Sequence, residues 1–571
     1  MKINKNNSGF VLTSALMLLL IALLIAGSFV FAARQSGPRV TAWQQYDETL
    51  LAAQTAMESI KADVYMRFKD YHEITYSWND INWLKDHAAE SSADGSLSAI
   101  AGIPGCPYDE AQIHSTVTTS DVTGSYDEQV LFVTVTVEAE WKTVTRKIRE
   151  TVCYRLNKSS VFDHSYFINN YGWFSRVDMV VNGDIRSNYD VDLNSSSLIL
   201  NGSSYAGGVN AVNRNPGAWN WNTYKNNSYS EYFRPAGHVD MNKNNPDSEW
   251  EYGYDPYTVS IHDNTAQLDM PYIGDLSDYK YYAQKKGGQI SINGSVVADA
   301  VYDGTGPSGV EGAADEGCLV LRGTQENPIV INGPVVVDGD VIIEGYYTGQ
   351  GTIYAGRNVH IIGDLTAVDP PKWEQPDTAV NFRENTLPDN LQKDFLGLCA
   401  KGSVVIGDYR SSSFASGVSA YIQPPGTSAY EVSATDADIG YVSYAENGTN
   451  YFNGDYTATY GEKCSDSNPA AGVPRRLYES SLSDGAFGAL SPNGKVRTIQ
   501  AMLYNNHLTV GYFDQNAMVN GGIICRDEAM ILNGRLYLNW DPRVALSADF
   551  TPYLPMELKP AETIVWTELA P

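Results

Sequence analysis

The sequence is short of basic charge, of cysteine and of histidine, and each shortage removes a class of function. Against 67 Asp and Glu residues stand only 39 Lys and Arg, a formal net charge of -28. A surface of that sign repels phosphate backbones, which argues against nucleic acid as a partner. Six cysteines in 571 residues are too few for a disulfide scaffold, and no two stand at the C-x-x-C spacing of a thiolate zinc site or a redox dithiol. The eight histidines are scattered, and the chain has no H-E-x-x-H, no G-x-S-x-G and no phosphate-binding G-x-x-x-x-G-K. His360 falls inside an expected strand, where a satisfied structural role is the expectation. No catalytic residue and no cofactor are therefore expected. Charged residues make up only 19% of the chain, while Gly, Asn and Tyr are abundant, the mixture of β-rich proteins with many tight turns.

What is present begins at the N-terminus. Phe10 to Ala33 is an uncharged, nearly all-apolar run, long enough as a helix to cross a hydrocarbon layer of about 30 Å. Lys2 and Lys5 precede it without an acid, which keeps the short tail cytoplasmic and sends the remainder outward. Trp43, Tyr46, Leu50, Ala53, Met57, Ile60, Val64 and Phe68 then recur every three or four residues, so the helix is expected to continue with an amphipathic second half. Gly37-Pro38 is expected to interrupt or kink it.

Ser8-Gly9-Phe10 ahead of the apolar run resembles the type IV prepilin signal. The resemblance implies cleavage after Gly9 by a prepilin peptidase at the inner membrane and methylation of the new terminal residue, Phe10. Most pilins carry Glu as fifth mature residue, where it pairs with a neighbouring subunit's terminal amine; here that position is Ser14. Subunits without the Glu resemble tip or initiating minor pilins. A secretory signal cut near Val30-Phe31-Ala32 is the alternative, although its apolar region would exceed the usual length.

Further along, the fold is expected to be mainly β. Leu131, Val133, Val135, Val137, Ala139 and Trp141 alternate with polar residues, and Val144, Ile148, Val152 and Tyr154 continue the pattern, the mark of a half-buried hairpin packed on the helix. Beyond residue 160, short β-branched runs end in Asn-Gly or Asp-Gly, as at Val180-Val181-Asn182-Gly183, Ile290-Ser291-Ile292-Asn293-Gly294 and Ile329-Val330-Ile331-Asn332-Gly333. Strands this short without intervening helices suggest successive rungs of a right-handed parallel β-helix-like solenoid, with a β-sandwich as the rival. Segments around Tyr354, Cys399 and Cys525 align as an internal repeat, which makes Cys399 and Cys525 candidates for an interior ladder. The alternative is disulfide bonding among Cys106, Cys153, Cys318, Cys399, Cys464 and Cys525, with Cys106 and Cys153 flanking the small sheet. The resulting units are a leader at 1–9, a long helix at 10–70, a small pilin-like β unit at 71–158 and a solenoid at 159–571, with an aromatic-rich insertion at about 205–290.

Within that insertion Trp219, Trp221, Tyr224 and Trp250 stand among Asn, Gly and Pro; flat rings with amide neighbours suit contact with a surface glycan or a protein ligand, or with the side of the solenoid itself. Asp436, Asp438, Asp315 and Glu316 are the carboxylates a Ca²⁺ ion would use, without EF-hand spacing. With the prepilin-like start, these features resemble large minor pilins that carry a β-solenoid body, whose expected partners are other pilins or pseudopilins. The expected use is adhesion or assembly at or near a filament tip, outside the cell. The alternatives are a secretion-type pseudopilin that primes assembly or selects cargo, and an anchored, carbohydrate-binding or carbohydrate-active surface protein.

Overall fold

A computed structural model of the protein describes residues 7–75, 80–102, 106–125, 128–169, 172–173, 178–188, 191–193, 197–207, 210–212, 239–241, 261–274, 276–304, 317–372, 385–412, 414, 478–491, 495–513, 516–525, 527–532, 535–547 and 550–569; the side chains of residues 7–16, 29, 32–39, 72–75, 80, 125, 172–173, 178, 192–193, 197–199, 201, 210–212, 239–241, 261 and 527–532 are outside the description. Its first element is one helix, α1 (Asn7–Thr75). Gly37-Pro38 does not interrupt it: proline removes one donor, and the bonds on either side hold a helix of this length together. From Thr49 onward α1 is amphipathic, and Ala52, Ala53, Ala56, Met57, Ile60, Val64 and Phe68 are buried.

Those residues pack on an antiparallel sheet. Three strands, β1 (Gln112–Thr119), β2 (Glu128–Trp141) and β3 (Val144–Lys158), follow one another across it. The alternation read in the sequence is what the sheet uses, since Leu131, Val133, Val135 and Val137 of β2 and Ile148, Val152 and Tyr154 of β3 share one core with the helix. Each such side chain, fully buried, contributes about 1.5–3 kcal/mol. The sheet does not end at β3. A strand from the far end of the chain, Met556–Leu569, pairs antiparallel with β3 along its length. Residues 159–571 are thus not all solenoid, because the last strand closes the small sheet and everything between Lys158 and Met556 is inserted into it.

The inserted part is a stack of short strands, nearly all paired in parallel. Val341 lies opposite Val359 and Tyr166 opposite Ile185, a repeat of 18 or 19 residues per coil. Like residues stack in columns: Ile353, Leu398, Leu503 and Ile523 succeed one another inside. One expected rung is instead a true hairpin. Asn293 and Gly294 have φ of 51° and 71°, the two positive values of a type I′ turn, and Gln289–Ile292 runs antiparallel to Ser295–Asp299.

Stacking order differs from chain order. The chain enters at Tyr166–Ile168 and Asp178–Asn182, and adds Ile185–Ser187, Ser197–Asn201, Ser204–Ala206, Val239–Met241 and Ile261–His262 in one direction. It then returns along the outside: Asn188 Nδ2 donates to Leu268 O at 2.6 Å, and Asn506 Nδ2 to Ile273 O at 2.9 Å. A second run starts at Gln289–Ile292 and builds back until Arg535–Trp540 pairs with Asp178–Asn182 and Ala517–Cys525 with Tyr166–Ile168. Entry and exit therefore meet mid-stack, where the small sheet is joined.

Candidate functional site

Three features converge around that join: a protruding apolar helix, the clasp between stack and sheet, and the outer edge of the last strand. Every side chain of α1 from Met17 to Ser28 is exposed, as are Val30 and Phe31. An apolar helix bare on all sides needs lipid or other subunits around it. Among the described residues no helix is long and apolar enough to cross a membrane; within the Phe10–Ala33 run the described side chains are 17–28, 30 and 31, fewer than the roughly 18 that a span requires.

Where α1 meets the sheet, polar contacts set its depth. Glu48 Oε2 accepts from Trp141 Nε1 at 3.0 Å and from Lys142 Nζ at 3.4 Å, and the Trp141 hydrogen bond above all holds its carboxyl below the usual range. Lys61 Nζ meets Glu150 Oε1 at 2.6 Å. Burial works against that ammonium, but its hydrogen bonds to Glu150 and Glu58 outweigh it and raise its pKa. Thr563 of the last strand donates to the same Glu150 oxygen. Arg146 of β3 lies over the Tyr46 ring, 3.5 Å from its centroid, and pairs with Glu568.

The clasp is built from hydroxyls and one arginine. Glu557 accepts from Ser159 Oγ at 2.8 Å, Ser160 N at 3.2 Å and Ser160 Oγ at 2.8 Å, tying the exit strand to the entry of the stack. Tyr354 and Tyr504 point outward from the stack and donate to the carbonyls of Tyr553 and Pro271, holding the two outer straps. Buried Arg543 pairs with Asp541 at 2.7 Å and donates to the carbonyls of Asn390, Lys393 and Asp394. Beside it opens a small cleft lined by Tyr347, Asp394, Phe395, Gln500, Asn520 and Arg543 among others. Asp394 accepts from Thr348 Oγ1, Gly349 N and Asp369 N, so it is occupied in holding the turn.

A buried polar cluster stands elsewhere on the stack. Asp340 accepts from Arg357 Nη1 at 2.9 Å, Asn358 N at 2.9 Å and Ser481 N at 2.6 Å. His360 Nε2 lies 3.9 Å from Asp340, and neither ring nitrogen has a hydrogen-bond partner. The satisfied role expected of His360 is therefore not what the fold provides: its ring sits against Tyr409 and Phe487, and the Asp340 carboxylate lies beyond hydrogen-bond reach. Burial pushes its pKa down to about 4.

The residues singled out in the sequence fare unevenly. Gly9, Phe10 and Ser14 lie in α1, with their side chains outside the description. Trp219, Trp221, Tyr224, Trp250, Asp315, Glu316, Asp436, Asp438 and Cys464 lie outside the described residues. Among the described residues no cluster of His, Cys, Asp and Glu is arranged to hold a metal ion.

Cys106, Cys153 and Cys399 are free thiols; Cys153 accepts from Arg155 Nε at 3.4 Å. Cys399 and Cys525 do not share an interior column. Tyr354, Cys399, Tyr504 and Ile524 succeed one another on the outward face, while Cys525 points inward with the stack core. The sequence repeat was out of register by one residue there, and a one-residue slip exchanges the faces of a strand. Missed altogether were Arg543, Glu557 and the last strand, although Thr563-Ile564-Val565-Trp566-Thr567 carried a clear β-propensity signal.

Comparison with known proteins adds little. No family model matches the chain, and no curated protein does. Among solved structures, the competence-associated pilin ComZ from Thermus thermophilus aligns over 92% of this chain and 98% of its own, at 10% identity and a TM-score of 0.21; an overlap so loose carries no argument.

Proposed function

We propose that this chain is a pilin-like structural subunit, tethered by its N-terminal helix and displaying a β-helix-like solenoid for adhesion or assembly at or near a filament tip. The observation that carries the reading is the division of α1: its described side chains from Met17 to Phe31 are almost all apolar and all exposed, and its second half is the spine of an antiparallel sheet. A helix so divided suits insertion in a membrane before assembly and burial among other subunits after it. The solenoid, inserted between two strands of that sheet, is carried as cargo on a small mount. Display outside the cell fits an acidic, turn-rich surface, and we assign the chain no catalytic role and no cofactor.

In this reading Gly9 is the cleavage position, Phe10 the new terminus and Ser14 the residue that replaces the pairing carboxylate of ordinary shaft subunits. Trp219, Trp221, Tyr224 and Trp250 are the candidate contacts to a glycan or protein. Mass spectrometry of the N-terminal peptide from native membranes, with and without the prepilin peptidase, tests it. A chain beginning at a methylated Phe10 only when the peptidase is present is the expected result; an intact Met1, or a start near Ala33, would overturn it.

A further inference from the structure

The small sheet has two edges, and they are treated differently. At one edge stands Asp94–Ser96, three residues long and followed at once by a short helix, Leu97–Ala101. Such brevity leaves little backbone to pair. At the other edge stands Met556–Leu569, fourteen residues long, and among the described residues nothing pairs with its outer side. Up to Val565 it carries the devices that blunt an edge: Lys559, Pro560 and two shifts of register, at Lys559/Glu562 and Thr563/Val565. From Val565 onward it carries none. From Val565 to Leu569 the register with β3 is regular, and every residue from Glu562 to Glu568 is exposed.

The side chains of this bare stretch are apolar where an unprotected edge would be charged. Ile564, Val565 and Trp566 are each about half exposed, and because neighbours on a strand face opposite ways, both faces of the edge are apolar. The flanking charges are already paired, Glu562 with Arg155 and Glu568 with Arg146. On a chain of net charge -28 this is a neutral patch. It is also continuous with the protruding helix: Arg146 bridges Glu568 to the Tyr46 ring, and Tyr46 meets Trp43 edge-on at 6.2 Å. Trp43 and Tyr46 of α1 and the bare part of the strand thus lie along one strip.

We propose that Val565–Leu569 is the acceptor edge for an extended strand from the globular unit of a neighbouring pilin-like subunit, which lengthens this sheet as the helices pack together. The inference rests on the reading of the chain as an assembling subunit. Main-chain hydrogen bonds would supply the attraction, and apolar contacts with Val565 on one face and Trp566 on the other would select the incoming side chains. The strip explains why one partner engages both elements: a subunit whose helix lies along α1 brings its own sheet level with Trp566.

Photocrosslinking in native membranes tests this with the full chain. A benzophenone amino acid is placed at Trp566 in one strain and at Leu19 in another, and the adducts are identified by peptide mapping. The proposal expects the Trp566 position to capture an extended segment of another protein that has its own N-terminal apolar helix. It also expects Val565→Lys or Thr567→Lys to lower that yield by about tenfold, without changing the Leu19 yield or the thermal midpoint. Adducts from Leu19 but none from Trp566, adducts joining Trp566 to a second copy of this chain, or a yield indifferent to both lysines would each overturn the strand-addition proposal and leave the assembly reading standing. Absence of subunit adducts from both positions would overturn the two together.

Discussion

Asn182 Nδ2 donates to Asn539 Oδ1 at 2.7 Å, across a gap of 357 positions in the chain. Asn539 in turn donates to Asn520 Oδ1 at 2.7 Å, so three amides form a column through the seam where the last rung meets the first. Replacing Asn539 with Ala leaves groups unpaired on both sides, at about 1–3 kcal/mol for each that remains buried. Urea unfolding should register that loss, and the pair Asn182→Ala and Asn539→Ala should be non-additive by about 0.5 kcal/mol or more. Strict additivity would mean that the column does not couple the two runs.

Gly183 closes the same seam. Its φ is +132°, and a Cβ there would lie 2.7 Å from the Trp540 Cβ and 2.9 Å from the Ser165 Cβ. Gly183→Ala combines backbone strain with a collision between two rungs and should destabilise the chain by at least about 2 kcal/mol. The comparison is Gly485→Ala, where nothing lies within 4 Å; equal thermal midpoints for the two variants would contradict the packing described at the seam.

Acid should weaken the stack through two buried histidines. Burial lowers His360 to about 4 and His164 to about 3; at His164 the nearby Arg186 adds to the effect. Above about pH 6.5 neither is charged folded or unfolded, and stability is full. As pH falls below that, the unfolded chain takes up protons that the native state refuses, and each histidine removes about 1.4 kcal/mol per pH unit until its folded pKa is reached. His360→Leu removes one of the two, so stability measured between pH 6 and 4.5 should fall less steeply. Because neither ring nitrogen is hydrogen-bonded, the substitution should cost little at pH 7. An unchanged slope would show that His360 is not held neutral.

The last strand is expected to govern the small sheet. Removal of 556–571 exposes the β3 backbone and withdraws Glu557 from Ser159 and Ser160. Amide exchange along Val144–Lys158 should quicken by orders of magnitude, while the stack amides near Ile353 and Leu398 keep most of their protection. Glu557→Gln is the milder case: it retains the shape, weakens the charge-assisted bonds by about 1–2 kcal/mol, and should accelerate exchange mainly at Ser160 and Val161. Full protection of β3 in the truncated chain would refute the pairing.

Much of the sheet and helix was legible because each has a period of its own. The two-residue alternation from Leu131 to Ala139 and the three-to-four spacing from Ala53 to Phe68 are local signals, and the fold uses both. Short strands ending in Asn-Gly were equally visible, but the dipeptide leaves the direction of the next strand open: Asn293-Gly294 turns the chain back on itself, whereas Gly333 lies within one continuous strand. Stacking order was not legible, since a parallel rung pairs with any other of similar length and shape, and nothing local marks Asp178–Asn182 as the partner of Arg535–Trp540. The outward column of Tyr354, Cys399 and Tyr504 was half legible; insertions of different length between coils hid the register, and one residue of error sent Cys525 to the wrong face.

The meeting of the first and last rungs has a consequence for how the protein is made. The ribosome delivers a chain from its N-terminus, so Tyr166–Ile168 and Asp178–Asn182 emerge early, yet the strands that cover one side of them emerge last. Through the delivery of some 350 residues those early strands expose an unpaired side, the state in which chains misassociate. Closing contacts of such long range is slow. Mounting and cargo must therefore mature together, late, and after delivery: a chain halted before Met556 would present neither a finished sheet nor a sealed seam, and only full-length molecules would pass as competent parts.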